Sequence, residues 1–381
     1  HDQSSAASDV YKRQGLMSGT SGDGVDASII KTNGIDNYES IKDKYFEYDT
    51  DIYEDIHSLK EKIDKIEHLE IHKDEINNLE RKITIFHAKI IEDMNISDDA
   101  LIGFHGQTIY HSAKEKISKQ LGNAKLLNQL TKKNIVFNFR NNDILNGGEG
   151  APLTPVFHHL VSVQNNIKLP VCFLNIGGIS NITIVYDKNN LFKLLSKDIG
   201  PGNCLIDTWV RKNSKKKFDK DGLLALSGTR NQIIFEQAQE LYSNRKNKKK
   251  LSFDTNDFDI SFVRGLNLED GVTTLTDFTA SIIGEELSST LKKSEKKIQD
   301  ILLCGGGRKN KILLLKIKEN LSSKINLRLI DEYEIDGDFI ESQAFAYLAV
   351  RSFKKLPISF PNTTGCLSLI HISEPTRRTI I

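Results

Sequence analysis

Two α/β domains around a cleft are the fold this sequence predicts, on three observations. Gly15 to Ile30, GLMSGTSGDGVDASII, is an apolar lead-in, a turn of small hydroxyl and glycine residues, and a second alternating apolar run. VCFLNIGGISNITIVY repeats that strand, turn and strand roughly 160 residues later, and two such devices, one opening each half, point to two related domains. Several buried apolar runs also end in polar side chains, which is where open α/β sheets bind ligands.

Composition excludes several classes of function. The 52 Lys plus Arg against 51 Asp plus Glu argue against bulk binding of nucleic acid or anionic membrane, and the short lysine runs read as solvated loops. No apolar run reaches the roughly 20 residues of a membrane span, and no secretory segment is present, so a soluble, cytoplasmic protein is expected. Cys172, Cys204, Cys304 and Cys366 show no CxxC spacing, which implies reduced thiols and no metal site.

Taken in order, residues 1–14 and 366–381 differ in composition from the body and resemble translated adapter sequence. Native sequence is therefore expected from about Gly15 to Gly365, and Lys12, Arg13 and Gln14 fit poorly in a central strand. The Gly15 to Ile30 turn admits two readings, a tight hairpin or a phosphate cradle. In the cradle, backbone N–H groups and the Thr20 and Ser21 hydroxyls ring phosphate oxygens, and Asp23 and Asp26 offer carboxylates to Mg²⁺. No Lys follows the glycines, so it is not a GxxxxGK[ST] loop.

Ile52 to Ile91 carries apolar residues at helical spacing, which predicts two helices with a break near His72. A strand from Ala100 to Phe104 runs into GFHGQTIYH, where His105, Gln107 and His111 are placed to hydrogen-bond a polyhydroxylated ligand or to close a turn. Ile135 to Phe139 is a further strand, with Arg140 and Asp143 at its end. Arg140 offers a fork for a carboxylate or phosphate, while Asp143 binds sugar hydroxyls, orients Arg140 or pairs with it.

In the second half, Gly177, Gly178, Ser180 and Asn181 repeat the part of the first turn. KDIGPGN then puts Asp198 at a strand end, beside a stiff turn and a helix N-terminus, as a general base or an Asx-turn carboxylate. Thr273 to Leu291 reads as a helix with Thr side chains available at its start. LLCGGGRKN is a strand and three glycines whose bare backbone can lie against a purine or ribose. ESQAFAYLAVRSF is a helix with Glu341 near its N-terminus, where the dipole favours a carboxylate.

Taken together, GLMSGTSGDGVD, GFHGQTIYH, NFRNNDILNGGEGAPLTPVFHH, LNIGGISNIT, DIGPGN with DTW, TLTDFTA, LLCGGGRKN, ESQAFAYLA and PNTTG resemble the anhydro-N-acetylmuramic acid kinase family. That family is a branch of the sugar kinase, actin and heat-shock ATPase superfamily. The resemblance implies two ribonuclease-H-like domains, with nucleotide deep in the cleft and sugar toward its opening. It also implies a reaction: hydrolysis of the 1,6-anhydro bond of anhydro-N-acetylmuramic acid and phosphorylation of O6 by ATP, in the recycling of cell-wall sugar. A plain amino-sugar kinase and a non-enzymatic ATP-dependent clamp are the other readings of such a fold.

By resemblance Asp198 is the base and Glu341 supports the catalytic site. Gly19, Thr20, Ser21, Gly22, Asp23, Gly24, Val25 and Asp26 bind ATP phosphates, as do Gly177, Gly178, Ser180 and Asn181. Asp23 is the candidate for Mg²⁺ through water, and Gly305, Gly306 and Gly307 lie at the adenosine. His105, Gly106, Gln107, Arg140, Asp143, Gly150 and Asn203 face the sugar, with Arg140 on its lactyl carboxylate. The expected domains are 15–160 and 161–356, with 357–365 as a return segment, and the family suggests a homodimer.

The chain departs from the family pattern in three places. Asn138 stands in place of Asp, Glu149 in place of Gln, and KKLSFDTNDF (residues 249–258) in place of a Lys-Ser-Thr-Gly stretch. None is expected to touch Asp198.

Overall fold

The computed structural model describes residues 11–245, 252–369 and 374–376, and the chain divides into two compact units. The first comprises residues 1–167, 187–195 and 338–381; the second comprises 168–186 and 196–337.

The first unit opens with β1 (Tyr11–Ser18), β2 (Gly24–Thr32) and β3 (Tyr38–Glu47), each antiparallel to the next. Lys12, Arg13 and Gln14 are strand residues, Gln14 opposite Ile29 on one side and Ile102 on the other. The helical stretch holds three helices, α1 (Thr50–Lys62), α2 (Glu67–Ile71) and α3 (Lys73–Met94), where two were expected. Besides the break at His72, α1 stops at Ile63, whose extended backbone cannot continue a helix. Ile56, Leu59, Ile63, Leu79 and Ile83 pack with Leu16 and Val25 of the sheet into one core cluster.

β4 runs from Leu101 to Ser112, well past the expected end at Phe104, because β5 (Ile117–Leu121) pairs back on it. α4 (Ala124–Thr131), β6 (Asn134–Phe137), α5 (Asn141–Leu145) and α6 (Pro155–Gln164) follow. β1, β4 and β6 are parallel, so the sheet runs β3-β2-β1-β4-β6.

The second unit repeats that order. β7 (Val171–Ile176) and β8 (Ile179–Val185) form an antiparallel hairpin, and β9 (Leu194–Pro201) lies beside β8. After α7 (Cys204–Asn213), α8 (Leu223–Ser227), α9 (Gln232–Arg245) and α10 (Leu268–Lys293), β10 (Asp300–Cys304) adds parallel to β7. α11 (Lys311–Glu319) then leads to β11 (Asn326–Leu329), which gives β9-β8-β7-β10-β11. The expected α/β fold with a duplicated ribonuclease-H-like order is therefore present. The cap of α10 is Asn267, whose side chain accepts from Asp270 N, rather than the threonines expected at residue 273.

The chain ends in the first unit with α12 (Ile340–Phe353), α13 (Pro361–Thr364) and β12 (Glu374–Thr376), the last pairing with β6. α12 lies almost in backbone contact with the sheet. A Cβ on Gly15 would stand 1.8 Å from the Ser342 carbonyl oxygen, and one on Gly103 would stand 2.2 Å from that of Phe345.

Candidate active site

Residues Gly19 to Asp23 join antiparallel β1 and β2, so the hairpin and the candidate phosphate loop are the same object. Gly22 N donates to Gly19 O at 3.2 Å, with Gly22 at φ +68°, a left-handed conformation that suits glycine. The turn's carbonyls are anchored on protein donors. Gly19 O also accepts from Gln107 Nε2 at 2.9 Å, Thr20 O from Lys60 Nζ at 2.6 Å, and Asp23 O from Tyr48 N at 2.9 Å.

The C=O and N–H of a trans peptide point in opposite directions. Anchoring the Gly19 and Thr20 oxygens therefore turns the N–H groups of Thr20 and Ser21 away from those anchors. Among the described residues neither N–H has a protein acceptor. Two adjacent amides and the Thr20 hydroxyl in a glycine turn make an anion-binding concavity. Asp23 is held within it, accepting from Ser21 Oγ at 2.5 Å. No group of three or more His, Cys, Asp or Glu gathers to hold a metal among the described residues. One carboxylate fits Mg²⁺, which keeps several waters and takes phosphate oxygens as ligands.

The expected sugar residues fall into two kinds. Gln107 is fully buried and its amide nitrogen is spent on Gly19 O and Thr108 O, so it supports the first turn. His105, Gly106 and Gln107 lie inside β4, beyond the register it shares with β6. Burial, with the nearby Arg140 charge, holds the His105 imidazole well below its ordinary range. Arg140 donates through Nη1 to Gly150 O at 2.8 Å.

Asp143 is fully buried, with Oδ2 accepting from Gly150 N at 2.7 Å and Oδ1 from Ser359 Oγ at 2.5 Å and Thr364 Oγ1 at 2.7 Å. Its carboxylate thus ties the Gly147 to Gly150 loop to the segment around α13. Glu149 N reinforces that tie through Thr364 O at 2.8 Å. Asn138 takes φ +60°, a conformation that Asn and Asp both tolerate, so the backbone does not explain the departure from Asp.

In the second unit, Gly177 and Gly178 turn their carbonyls onto the start of α7. Asn203 N donates to Gly177 O at 2.8 Å, and Gly202 N and Cys204 N donate to Gly178 O at 2.9 and 3.1 Å. Those bonds use the N–H groups of Gly202, Asn203 and Cys204 at the entry to α7, beside Asp198. Ser180 Oγ donates to Pro201 O at 3.1 Å, whereas Asn181 Oδ1 is buried with no partner among the described residues.

Asp198 stands near the end of β9, 7% exposed, and its Oδ2 accepts from Phe253 N at 2.8 Å. Phe253 belongs to the KKLSFDTNDF stretch, so the expectation that this departure keeps away from Asp198 is corrected. A backbone donor does not depend on which side chain its residue carries, which lets the stretch change its residues and still hold the carboxylate. Residues 249–251 of that stretch lie outside the described residues.

Of the three glycines after β10, two are demanded by packing. A Cβ on Gly305 would stand 2.4 Å from Asn175 Oδ1 and one on Gly307 2.3 Å from Ile176 Cγ2, while Gly306 has nothing within 4 Å. Only Gly306 presents open backbone. Glu341 sits in the first turn of α12, half-buried. Arg308, which sequence reasoning passed over, is buried and forks onto Asp331 with two bonds of 2.9 Å. The arginine holds the Asp331 carboxyl below its usual range. Its position directly after three glycines was the available signal.

A family model described as Anhydro-N-acetylmuramic acid kinase matches residues 12–373. Proteins named Anhydro-N-acetylmuramic acid kinase from Pelagibacter ubique (strain HTCC1062) and Zymomonas mobilis subsp. mobilis are 55% and 36% identical to it. The first alignment covers 93% of this chain and 95% of the relative, the second 92% and 95%. One from Agrobacterium fabrum is 34% identical over 92% of this chain and 94% of its own. With a match that spans both sheets, both glycine turns and the Asp198 strand, the chain belongs to the anhydro-N-acetylmuramic acid kinase family.

Proposed function

We propose that this enzyme uses ATP and water to convert anhydro-N-acetylmuramic acid into N-acetylmuramic acid 6-phosphate and ADP, a step in cell-wall recycling. The observation that carries the reading is the first turn, whose anchored carbonyls leave the Thr20 and Ser21 amides for phosphate oxygens. Asp198 is the base. It takes a proton from water as the water oxygen bonds to C1, and the C1–O6 bond breaks with its electron pair going to O6. O6 bonds to the γ-phosphorus while the bridging oxygen leaves with ADP.

The Phe253 N–H fixes the orientation of the Asp198 carboxylate for that proton transfer. Thr20 and Ser21 orient the phosphates, Asn181 and Gly306 contribute to the nucleotide site, and Arg140 holds the lactyl carboxylate. Gly177 and Gly178 shape the second turn, and Glu341 supports the catalytic groups. Asp23 would hold Mg²⁺, which would supply neutralisation of phosphate charge there. The substrate is a small amino sugar, and no described helix is long and apolar enough to cross a membrane. A cytoplasmic homodimer is part of this reading, and light scattering checks the dimer.

The reaction run in ¹⁸O-labelled water tests the chemistry. Label at C1 together with phosphate at O6 is expected. Phosphorylation of N-acetylmuramic acid or N-acetylglucosamine with the anhydro sugar left intact would replace this reading by a plain sugar kinase. ATP turnover indifferent to sugar would replace it by a clamp.

A further inference from the structure

Beneath the first turn lies a row of buried polar side chains that the reaction does not use. Tyr48, just after β3, is 4% exposed; Ser18, the last residue of β1, is 1% exposed; His87 of α3 is fully buried. Tyr48 Oη lies 2.9 Å from Ser18 Oγ, and Ser18 Oγ lies 3.3 Å from His87 Nε2. His87 Nδ1 is 2.8 Å from Ile83 O.

The proton positions follow from the last contact. A carbonyl only accepts, so Nδ1 carries the hydrogen. Burial presses the His87 imidazole down to about 4, which keeps the ring neutral and leaves Nε2 as an acceptor. Ser18 must then donate to His87, and Ser18 Oγ accepts from Tyr48. The row has one direction: Tyr48 to Ser18 to His87 to Ile83.

Tyr48 also grips the other side of the turn, since its backbone N donates to Asp23 O at 2.9 Å. Ser18 and Asp23 bracket Gly19 to Gly22, so one residue holds both ends of the phosphate loop. Three apolar side chains would fill the same space without the cost of burying polar groups. What the polar row adds is a single position for Ser18 and Asp23.

We propose that Tyr48 is a positioning residue for the first phosphate turn, acting through Ser18 and His87 to set the loop amides and Asp23 against the nucleotide phosphates. This rests on the nucleotide reading of that turn. Tyr48→Phe and Ser18→Ala are expected to raise KM for ATP about tenfold with a smaller change in kcat, at a thermal midpoint close to wild type. His87→Gln, which keeps an acceptor for Ser18, stays within about threefold of wild type, whereas His87→Leu behaves like Ser18→Ala.

Wild-type KM in all four variants, or losses that track thermal midpoint across the series, would overturn the proposal. Should Tyr48→Phe not fold, Ser18→Ala and the ¹⁵N shifts of His87 in the wild-type protein decide it, and an Nε2-protonated ring would count against it. Titration of the wild-type protein with MgADP separates the two readings. Absence of binding there sinks the nucleotide reading and this proposal with it, while normal binding with unaffected variants sinks the proposal alone.

Discussion

Nε of Arg140 donates to Nε2 of His105 across 3.0 Å. Nδ1 of the same ring is 2.7 Å from Gly106 O, which fixes the hydrogen on Nδ1 and makes Nε2 the acceptor. His105 is thus a neutral mount for a cation, and the Gly150 carbonyl is the second point of attachment. Removing the mount should loosen Arg140 without removing its charge. His105→Ala is expected to raise KM for the anhydro sugar about tenfold and leave kcat within a few-fold. Initial rates at varied sugar check this, and a fall in kcat alone would mean that His105 carries a proton.

Asp198 offers a cleaner separation of binding from chemistry. Asp198→Asn keeps the side-chain size and an oxygen for the Phe253 N–H, but it cannot take a proton from water. Loss of sugar turnover by about 10²-fold or more is expected, with unchanged affinity for MgADP by calorimetry. Retained turnover would move the base elsewhere.

Gln14 is a weak point in the first sheet. It is fully buried, it shares a strand face with Leu16, and neither its amide nitrogen nor its oxygen has a partner among the described residues. Buried amide groups left unpaired cost about 1–3 kcal/mol. Gln14→Leu is therefore expected to stabilise the protein by about that amount, read as a higher urea midpoint at constant slope. A lower midpoint would mean that the pocket rejects a branched side chain.

Three buried imidazoles make stability fall in acid. Burial presses His87 down to about 4 and His158 to about 3, and His105 also lies well below the ordinary range. Unfolded, each titrates near 6.5, so below that pH the unfolded chain binds protons that the folded chain refuses. The contribution of the neutral rings is complete above pH 6.5 and is lost as the pH falls toward the folded values, by up to about 1.4 kcal/mol per pH unit for each ring. Urea midpoints at pH 7.5, 6.5 and 5.5 measure it. His87→Gln should remove one proton's share of the slope, and an unchanged slope would show that His87 is protonated in the folded state.

What could be read before folding was local. Glycine turns between apolar runs marked both hairpins, helical spacing marked the cores of α1 and α3, and Asp198 was legible at the end of its strand. What could not be read depends on chain brought from far away. Asp143 reads as a sugar or arginine partner until Ser359 and Thr364, more than 200 residues on, close over it. β4 outran its expected end because β5 pairs with it, and the Phe253 contact with Asp198 comes from a stretch whose sequence had drifted from the family pattern. Tyr48 carried no motif at all, and its role lies in the ends of the turn it joins.

The two glycines under α12 act as a keyway. Where the Ser342 and Phe345 carbonyls come down, only residues without a side chain leave room, so sliding the helix by one residue would drive side chains into the strands. The helix has one seat, and Glu341 in its first turn inherits a fixed address from Gly15 and Gly103, two residues that offer no functional group of their own.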